Sequence, residues 1–206
     1  MEAKTTPKLY LLPDTLTEDT LENCIIKGQT VDCGNYTGTR FRKVIFQNCR
    51  FVRPTFVRAE FVEVQFTDCD LSGGDFSESY FDHSTLTAVK GVGVRMGDSY
   101  LTDTAFTDCI LRYGDLSRSK WKGGSMSGCD LREGFLNECK LIRFAFRNCD
   151  LTRAELRRTM LAGMDLSDCI LDGVVLSDNL SELRGAKIDA LQAVGIARRL
   201  GIIVKD

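Results

Sequence analysis

The sequence predicts an all-β solenoid, a parallel coil of square cross-section closed at its C-terminal end by a short helix. Three observations predict it. Large apolar residues recur at every fifth position from Leu16 to Leu176 with no insertion or deletion, and 26 of these 33 central positions are Leu or Phe. Two residues before each centre, 27 of 33 positions hold Ala, Cys, Gly, Ser, Thr or Val. Cysteines recur at a spacing of twenty, at Cys49, Cys69, Cys109, Cys129, Cys149 and Cys169, with Val89 in the gap. A period of five fits neither a helix nor a flat strand. It fits a chain that turns a corner every five residues and points one large and one small side chain inward. Four corners close a 20-residue coil, and coils about 4.8 Å apart stack like residues on like. About eight coils make a rod roughly 38 Å long.

Composition agrees with a packed, water-facing body. The 206 residues suit one domain with a sizeable core. A hydrophobic share of 43% and a mean hydropathy of −0.12 exclude a disordered or membrane-spanning chain. No apolar run approaches the roughly 18 residues of a transmembrane helix. The stretch around Leu9–Leu12 is too short for a secretory signal, so a cytoplasmic protein is expected. With 27 Lys+Arg against 29 Asp+Glu, a simple basic nucleic-acid binder is not expected.

Residues 1–20 read as an N-terminal cap, because an open β-helix end exposes unpaired backbone. Within it, Leu9, Tyr10, Leu11 and Leu12 lie between Pro7 and Pro13, placed to cover the first coil. The coiled region is 21–178, with regular coiling expected from near Cys24, since Asp14, Asp19 and Gln29 are poor occupants of the small position. Two places break the pattern. Pro54, at an inward position, lacks a donor and predicts a bend. Gly91 stands at a centre, with Gly93 and Gly97 nearby, which predicts a thinner or kinked coil or else a flexible contact site.

Residues 179–206 read as a helix and tail. Asp189 is the expected N-cap, with Gln192 completing a capping box. Leu191, Val194 and Ala197 share one side, Arg198 and Arg199 suit the C-terminal dipole, and Gly201 ends the helix. The apolar Ile202, Ile203 and Val204 are expected either on the last coil or against a second subunit. Leu191, Val194, Ile202, Ile203 and Val204 are therefore the candidate homodimer interface.

Catalytic chemistry is not expected. The chain has nine cysteines but no Cys-x-x-Cys pair, so inward thiols read as small packing groups and no metal is expected. His83, the single histidine, projects outward on this register and has no nucleophile or acid constellation around it. No glycine-rich phosphate loop appears, and no cofactor is implied.

Charge is arranged along the rod. Residues 60–116 carry 11 acidic residues against Lys90, Arg95 and Arg112, whereas residues 117–160 carry ten basic and five acidic. The square register puts Glu60, Glu63, Asp82 and Asp103 on one face and Asp75, Glu78, Asp98 and Asp115 on the adjoining face. These eight are the candidate partner-binding residues, with a linear density comparable to the one charge per roughly 1.7 Å of duplex DNA.

The five-residue unit over Leu16–Leu176 resembles the pentapeptide-repeat family, A(D/N)LXX, which implies a right-handed quadrilateral parallel β-helix. The stretch GAKIDALQAVGIARRLGIIV at 185–204 resembles the C-terminal ends of the quinolone-resistance (Qnr/MfpA-like) members. Those follow the last coil with a GxxxDxxQA stretch, a helix and an LGI-type ending, and they dimerise tail to tail. That resemblance implies a DNA mimic acting on DNA gyrase and topoisomerase IV and protecting them from poisons such as fluoroquinolones. The unbroken phase here leaves no room for the projecting loops of the Gram-negative Qnr members. Two alternatives stand beside it: a structural or scaffolding module that binds another protein, and self-immunity against a natural gyrase toxin.

Overall fold

The computed structural model describes residues 7–16 and 19–205. Residues 1–6, 17 and 18 of the expected cap, and Asp206, lie outside the described residues.

The period of five has a backbone origin. At every fifth position from Asn23 to Arg158, and again at Gly163 and Gly173, φ is positive. This left-handed region costs an L-residue about 1–2 kcal/mol, yet side chains as large as Arg58 and Tyr113 occupy it. Most corner amides donate to a carbonyl nineteen residues ahead, as from Asn23 to Arg42 at 3.0 Å and from Glu63 to Asp82 at 2.8 Å. Most corners are thus held by the next coil, and two residues before the following centre a small side chain fills the inside of the bend.

Four faces result. Face A is a seven-stranded parallel sheet of Thr20–Glu22, Arg40–Arg42, Glu60–Val62, Tyr80–Asp82, Tyr100–Thr102, Lys120–Lys122 and Lys140–Ile142. Face B stacks Cys24–Lys27, Ile45–Gln47, Gln65–Thr67, Thr85–Thr87, Ala105–Thr107, Ser125–Ser127 and Ala145–Arg147, with Lys8–Leu9 as an eighth strand at its N-terminal edge. Face C has only two short strands, Thr30–Asp32 and Arg50–Val52, and continues as single bridges from Asp70 to Ile170. Face D is built of single bridges from Thr15 to Val175. From Thr15 to Val175 the register is twenty, giving a parallel β-solenoid of about seven turns, while the end pairings Lys8–Cys24 and Asp165–Lys187 depart from it.

Inside, the central residues form the core, with Phe41, Phe46, Phe56, Phe61, Phe66, Phe81, Phe106, Leu116, Leu131 and Leu166 wholly inaccessible. Rings stack coil on coil: Phe41 on Phe61 at 5.3 Å, Phe61 on Phe81 at 4.5 Å, Phe46 on Phe66 at 4.5 Å. Eight cysteines are buried and Cys33 is exposed. The thiols do more than pack. Cys49 donates to the Ile26 carbonyl at 3.3 Å, Cys109 to Leu86 at 3.3 Å and Cys149 to Met126 at 3.3 Å, each twenty-three residues back. The Ser84, Ser99 and Thr159 hydroxyls do the same toward Phe61, Phe76 and Leu136. Burial pushes the Cys24 and Cys139 thiols up, which keeps both protonated at neutral pH.

Both ends are sealed by side chains that satisfy edge backbone. At the N-terminal end Lys8–Leu9 pairs with Cys24–Ile25. Leu12 is buried and Tyr10 half-buried, whereas Leu9 and Leu11 point outward, so two of the four expected residues cover the coil. The Gln29 carboxamide bonds both the amide and the carbonyl of Leu12. In-register bridging already begins at Thr15–Asn35 and the first face-A strand at Thr20, one to two units earlier than expected. At the other end Glu182, fully buried, accepts from the Arg158 and Ser177 amides and the Ser177 hydroxyl. Helix α1 (Ala190–Arg199) has the predicted Asp189–Gln192 capping box and ends at Gly201, φ +78°. Its Gln192 donates to the Leu166 and Cys169 carbonyls, and its Arg199 to Val174 and Leu176.

The two predicted disturbances leave the register intact. Pro54 occupies a position whose amide makes only the turn bond seen at Gly74 to Leu71, so no inter-coil bond is lost and Asn35–Thr55–Asp75 stay in line. Likewise Asp70–Lys90–Ile110 runs through Gly91 without a kink. Gly91 instead leaves a void of about 10 Å³ among Leu71, Phe76, Phe81, Phe106 and Leu111. One larger departure was not anticipated. Phe144 fills a small position and packs edge-on against Trp121 and Phe146. Its equivalent one coil back is Gly124, φ +91°, where an added Cβ meets the Thr104 carbonyl at 2.1 Å.

Candidate protein-binding surface

The acidic residues lie where the register places them. Glu60, Asp82 and the corner residues Glu63 and Asp103 are on face A, and Asp75, Glu78, Asp98 and Asp115 are on face D. Between residues 60 and 103 the outward positions of face A contain four acids, Tyr80, Tyr100 and His83, and no Lys or Arg. The sequence had not shown how far neighbouring coils supply the counter-charges. Arg40 grips Glu60 at 2.6 and 3.1 Å from one coil away, and Lys43 lies 4.0 Å from Glu63. On face D, Arg118 holds Asp98 at 2.9 and 2.7 Å, and Arg95 reaches Asp75 at 2.8 Å. Among the described residues Glu78 and Asp115 make no ion pair, and the Asp115 carboxylate accepts from the Ser117 amide. The Arg40 and Arg118 guanidiniums hold the Glu60 and Asp98 carboxyls below their ordinary values.

His83 sits inside the acidic band, Nδ1 2.8 Å from Asp82 and Nε2 3.8 Å from Asp103. The hydrogen bond to Asp82, then the charges of Asp82, Asp103 and Glu63, raise its pKa. The shallow depression beside it is lined by Asn23, Lys43, Ile45, Glu63, Gln65, Asp82 and His83 and is open to solvent. Among the described residues no three His, Cys, Asp or Glu side chains are placed to hold a metal ion, and no helix is long and apolar enough to cross a membrane.

Beyond Asp103, face A changes sign. Lys120, Lys122, Lys140 and Arg143 are exposed and stand at successive levels. On face C, by contrast, the arginines are tied down: Arg112 and Arg132 both hold Asp130, at 2.5 and 2.7 Å, and the Arg132 bond brings that carboxyl to about 2.

Past the last coil, Leu191, Ile202 and Ile203 are exposed, Ile203 at 87%, while Val194 and Val204 are half-buried. A cleft of about 420 Å³ separates α1 from the coil, lined by Leu171, Val174, Leu176, Leu180 and Ile196.

The repeat geometry agrees with family models described as pentapeptide repeat region, over residues 59–136, and pentapeptide repeats, over 136–173. The chain belongs to the pentapeptide-repeat family. No curated protein matches this pentapeptide-repeat chain in sequence. Among solved structures it is similar to trypsin-treated QnrB1, a plasmid-mediated fluoroquinolone resistance protein, with 17% identity, 90% of this chain and 100% of that chain covered, and a TM-score of 0.52. It also matches HetL, a pentapeptide-repeat protein involved in heterocyst differentiation regulation from the cyanobacterium Nostoc sp. strain PCC 7120. There the identity is 17%, coverage 82% and 89%, and the TM-score 0.41. These likenesses concern the fold.

Proposed function

We propose that this pentapeptide-repeat protein is a non-enzymatic, cytoplasmic, homodimeric rod that binds DNA gyrase or topoisomerase IV and protects it from poisons such as fluoroquinolones. The observation that carries the reading is the acidic band of faces A and D, Glu60 to Asp103 and Asp75 to Asp115. It spans about 13 Å of rod, with no Lys or Arg of its own on face A between residues 60 and 103. Such a band suits a basic groove that normally holds duplex DNA. The exposed Leu191, Ile202 and Ile203, with Val194 and Val204 beside them, serve as the tail-to-tail contact and double the length of the rod. The C-terminal resemblance to the quinolone-resistance members supports the same partner.

Reversing charge at Glu63, Asp82 and Asp103 is expected to weaken gyrase binding while leaving the β-helix circular dichroism unchanged. Supercoiling and cleavage assays with and without a quinolone read the outcome; undiminished protection by the triple variant removes the acidic-face mechanism. The change of sign at Lys120 favours a second reading, a scaffold for a partner of mixed charge. Absence of any effect in those assays would leave that reading standing.

A further inference from the structure

Face A is self-complementary. We propose that two copies of this chain associate face A to face A, antiparallel, about a two-fold axis running along the Tyr100–Thr102 strand. In that arrangement a residue meets the equivalent position of a strand equally far on the other side of the axis. The strand Lys140–Ile142 lies over Glu60–Val62, and Lys120–Lys122 over Tyr80–Asp82. Lys140 then opposes Glu60, Arg143 opposes Glu63 and Lys122 opposes Asp82, and symmetry makes six ion pairs. Lys120 opposes the half-open ring of Tyr80, and Ile142 opposes Val62. Tyr100, 47% exposed, falls on the axis against its own copy.

Two features of the single chain call for such a partner. Lys120 and Lys140 stand directly opposite in adjacent strands, a like-charge pairing that opposes sheet formation. Among the described residues, Lys120, Lys122, Lys140 and Arg143 enter no ion pair, although Arg112, Arg118 and Arg132 nearby all do. Within its own chain Lys120 meets Tyr100 alone, the hydroxyl at 2.7 Å and the ring centroid at 4.4 Å, and no carboxylate. An acidic surface of matching spacing offsets the cost of stacking these bases, and this same face carries one. Asp103 meets its own copy on the axis; His83, 3.8 Å away in each chain, lies opposite Gly123, which leaves it room.

The patch covers five strands with three outward positions each, roughly 400 Å² per copy. The pair therefore buries about half of the ~1,600 Å² of a standard interface, and the association is weak and governed by salt. While formed, it hides Glu60, Glu63 and Asp82 from any other partner. The inference is independent of the topoisomerase reading, since it is tested on the purified chain alone.

Sedimentation of the full chain at 20 mM and 500 mM NaCl is the test. The expected result is a concentration-dependent step present at low salt and lost at high salt, whereas an apolar tail contact survives both. Lys140→Glu with Arg143→Glu is expected to weaken that step at least tenfold, and so is Glu60→Lys with Glu63→Lys. An equimolar mixture of the two variants is expected to regain it, which a misfolded variant cannot do; melting curves check each fold. The proposal is overturned by a wild-type chain with no salt-sensitive step, by a mixture that stays apart, or by wild-type chain that binds labelled duplex DNA through the four bases in place of a second copy.

Discussion

Between Tyr36 and Phe81 the rod is filled by rings, whereas from Leu101 to Leu176 most central residues are leucines, with Phe106, Trp121 and Phe146 among them. The backbone coil is the same in both regions. In the first, ring centroids lie 4.5–5.3 Å apart along the Phe41–Phe61–Phe81 and Phe46–Phe66 ladders, close to the inter-coil spacing set by backbone hydrogen bonds. Each ring also meets the edges of rings at neighbouring corners, as Phe61 meets Phe66 at 5.7 Å. In the leucine region no such directional contact repeats, and the core accepts a Phe144 opposite a Gly124. The coil is thus fixed by its corners and ladders, and the filling decides how sharply a substitution is felt.

Truncation tests this contrast most strongly. Phe61→Ala is expected to cost about 3–5 kcal/mol, because Phe61 is fully buried and touches five other rings. Leu116→Ala, equally buried, is expected at the lower end of about 2–5 kcal/mol. Denaturant unfolding measures both, and a larger loss at Leu116 breaks the comparison.

The end of the leucine region gives the next effect. Glu182→Ala leaves three part-buried donors without an acceptor and is expected to cost about 1–3 kcal/mol. Burial alone would raise the Glu182 pKa, but hydrogen bonds from the Ser177 hydroxyl and the Arg158 and Ser177 amides outweigh it and lower it. A lowered folded-state pKa means the stabilisation is present above the ordinary glutamate range and lost as pH falls through the folded value. Melting between pH 7 and 3 is expected to show a smaller acid loss in Glu182→Gln, which keeps an acceptor oxygen, than in wild type; the other lowered carboxyls, such as Asp98 and Asp130, add the same loss to both.

The smallest effect lies at the boundary between the regions. Gly91→Ala adds a methyl beside the void, 3.0 Å from a Leu111 methyl that lines the same void and shifts into it by a few tenths of an ångström. An increase of about 0.5–1 kcal/mol is expected from the stiffer unfolded chain, read as a rise in melting temperature. A fall shows that Leu111 is locked and that the void is structural.

Much of this was legible in the sequence because inward positions carry a strong signal. The centres, the small positions and the Asp189–Gln192 cap all stand where the pattern put them. The left-handed corners were not legible: Arg58, Glu63 and Tyr113 are not residues that announce positive φ, and the inter-coil bond makes it tolerable there. The cysteine ladder showed burial but not the thiol-to-carbonyl bonds, which need three-dimensional stacking to see. The acids were placed on their faces correctly, yet Arg40, Arg95 and Arg118 were not read as their partners, although each lies twenty residues away and the same spacing had aligned the cysteines.

The absence of slack between corners has a consequence for how the chain can change length. One added residue would turn every later leucine outward and every later charge onto the wrong side. Only a gain or loss of complete twenty-residue storeys preserves which side chains look in which direction. The molecule is in effect a ruler graduated in coils, and a deletion of 101–120 that still folds would bring Lys120's successors one graduation nearer to Glu60 without altering either.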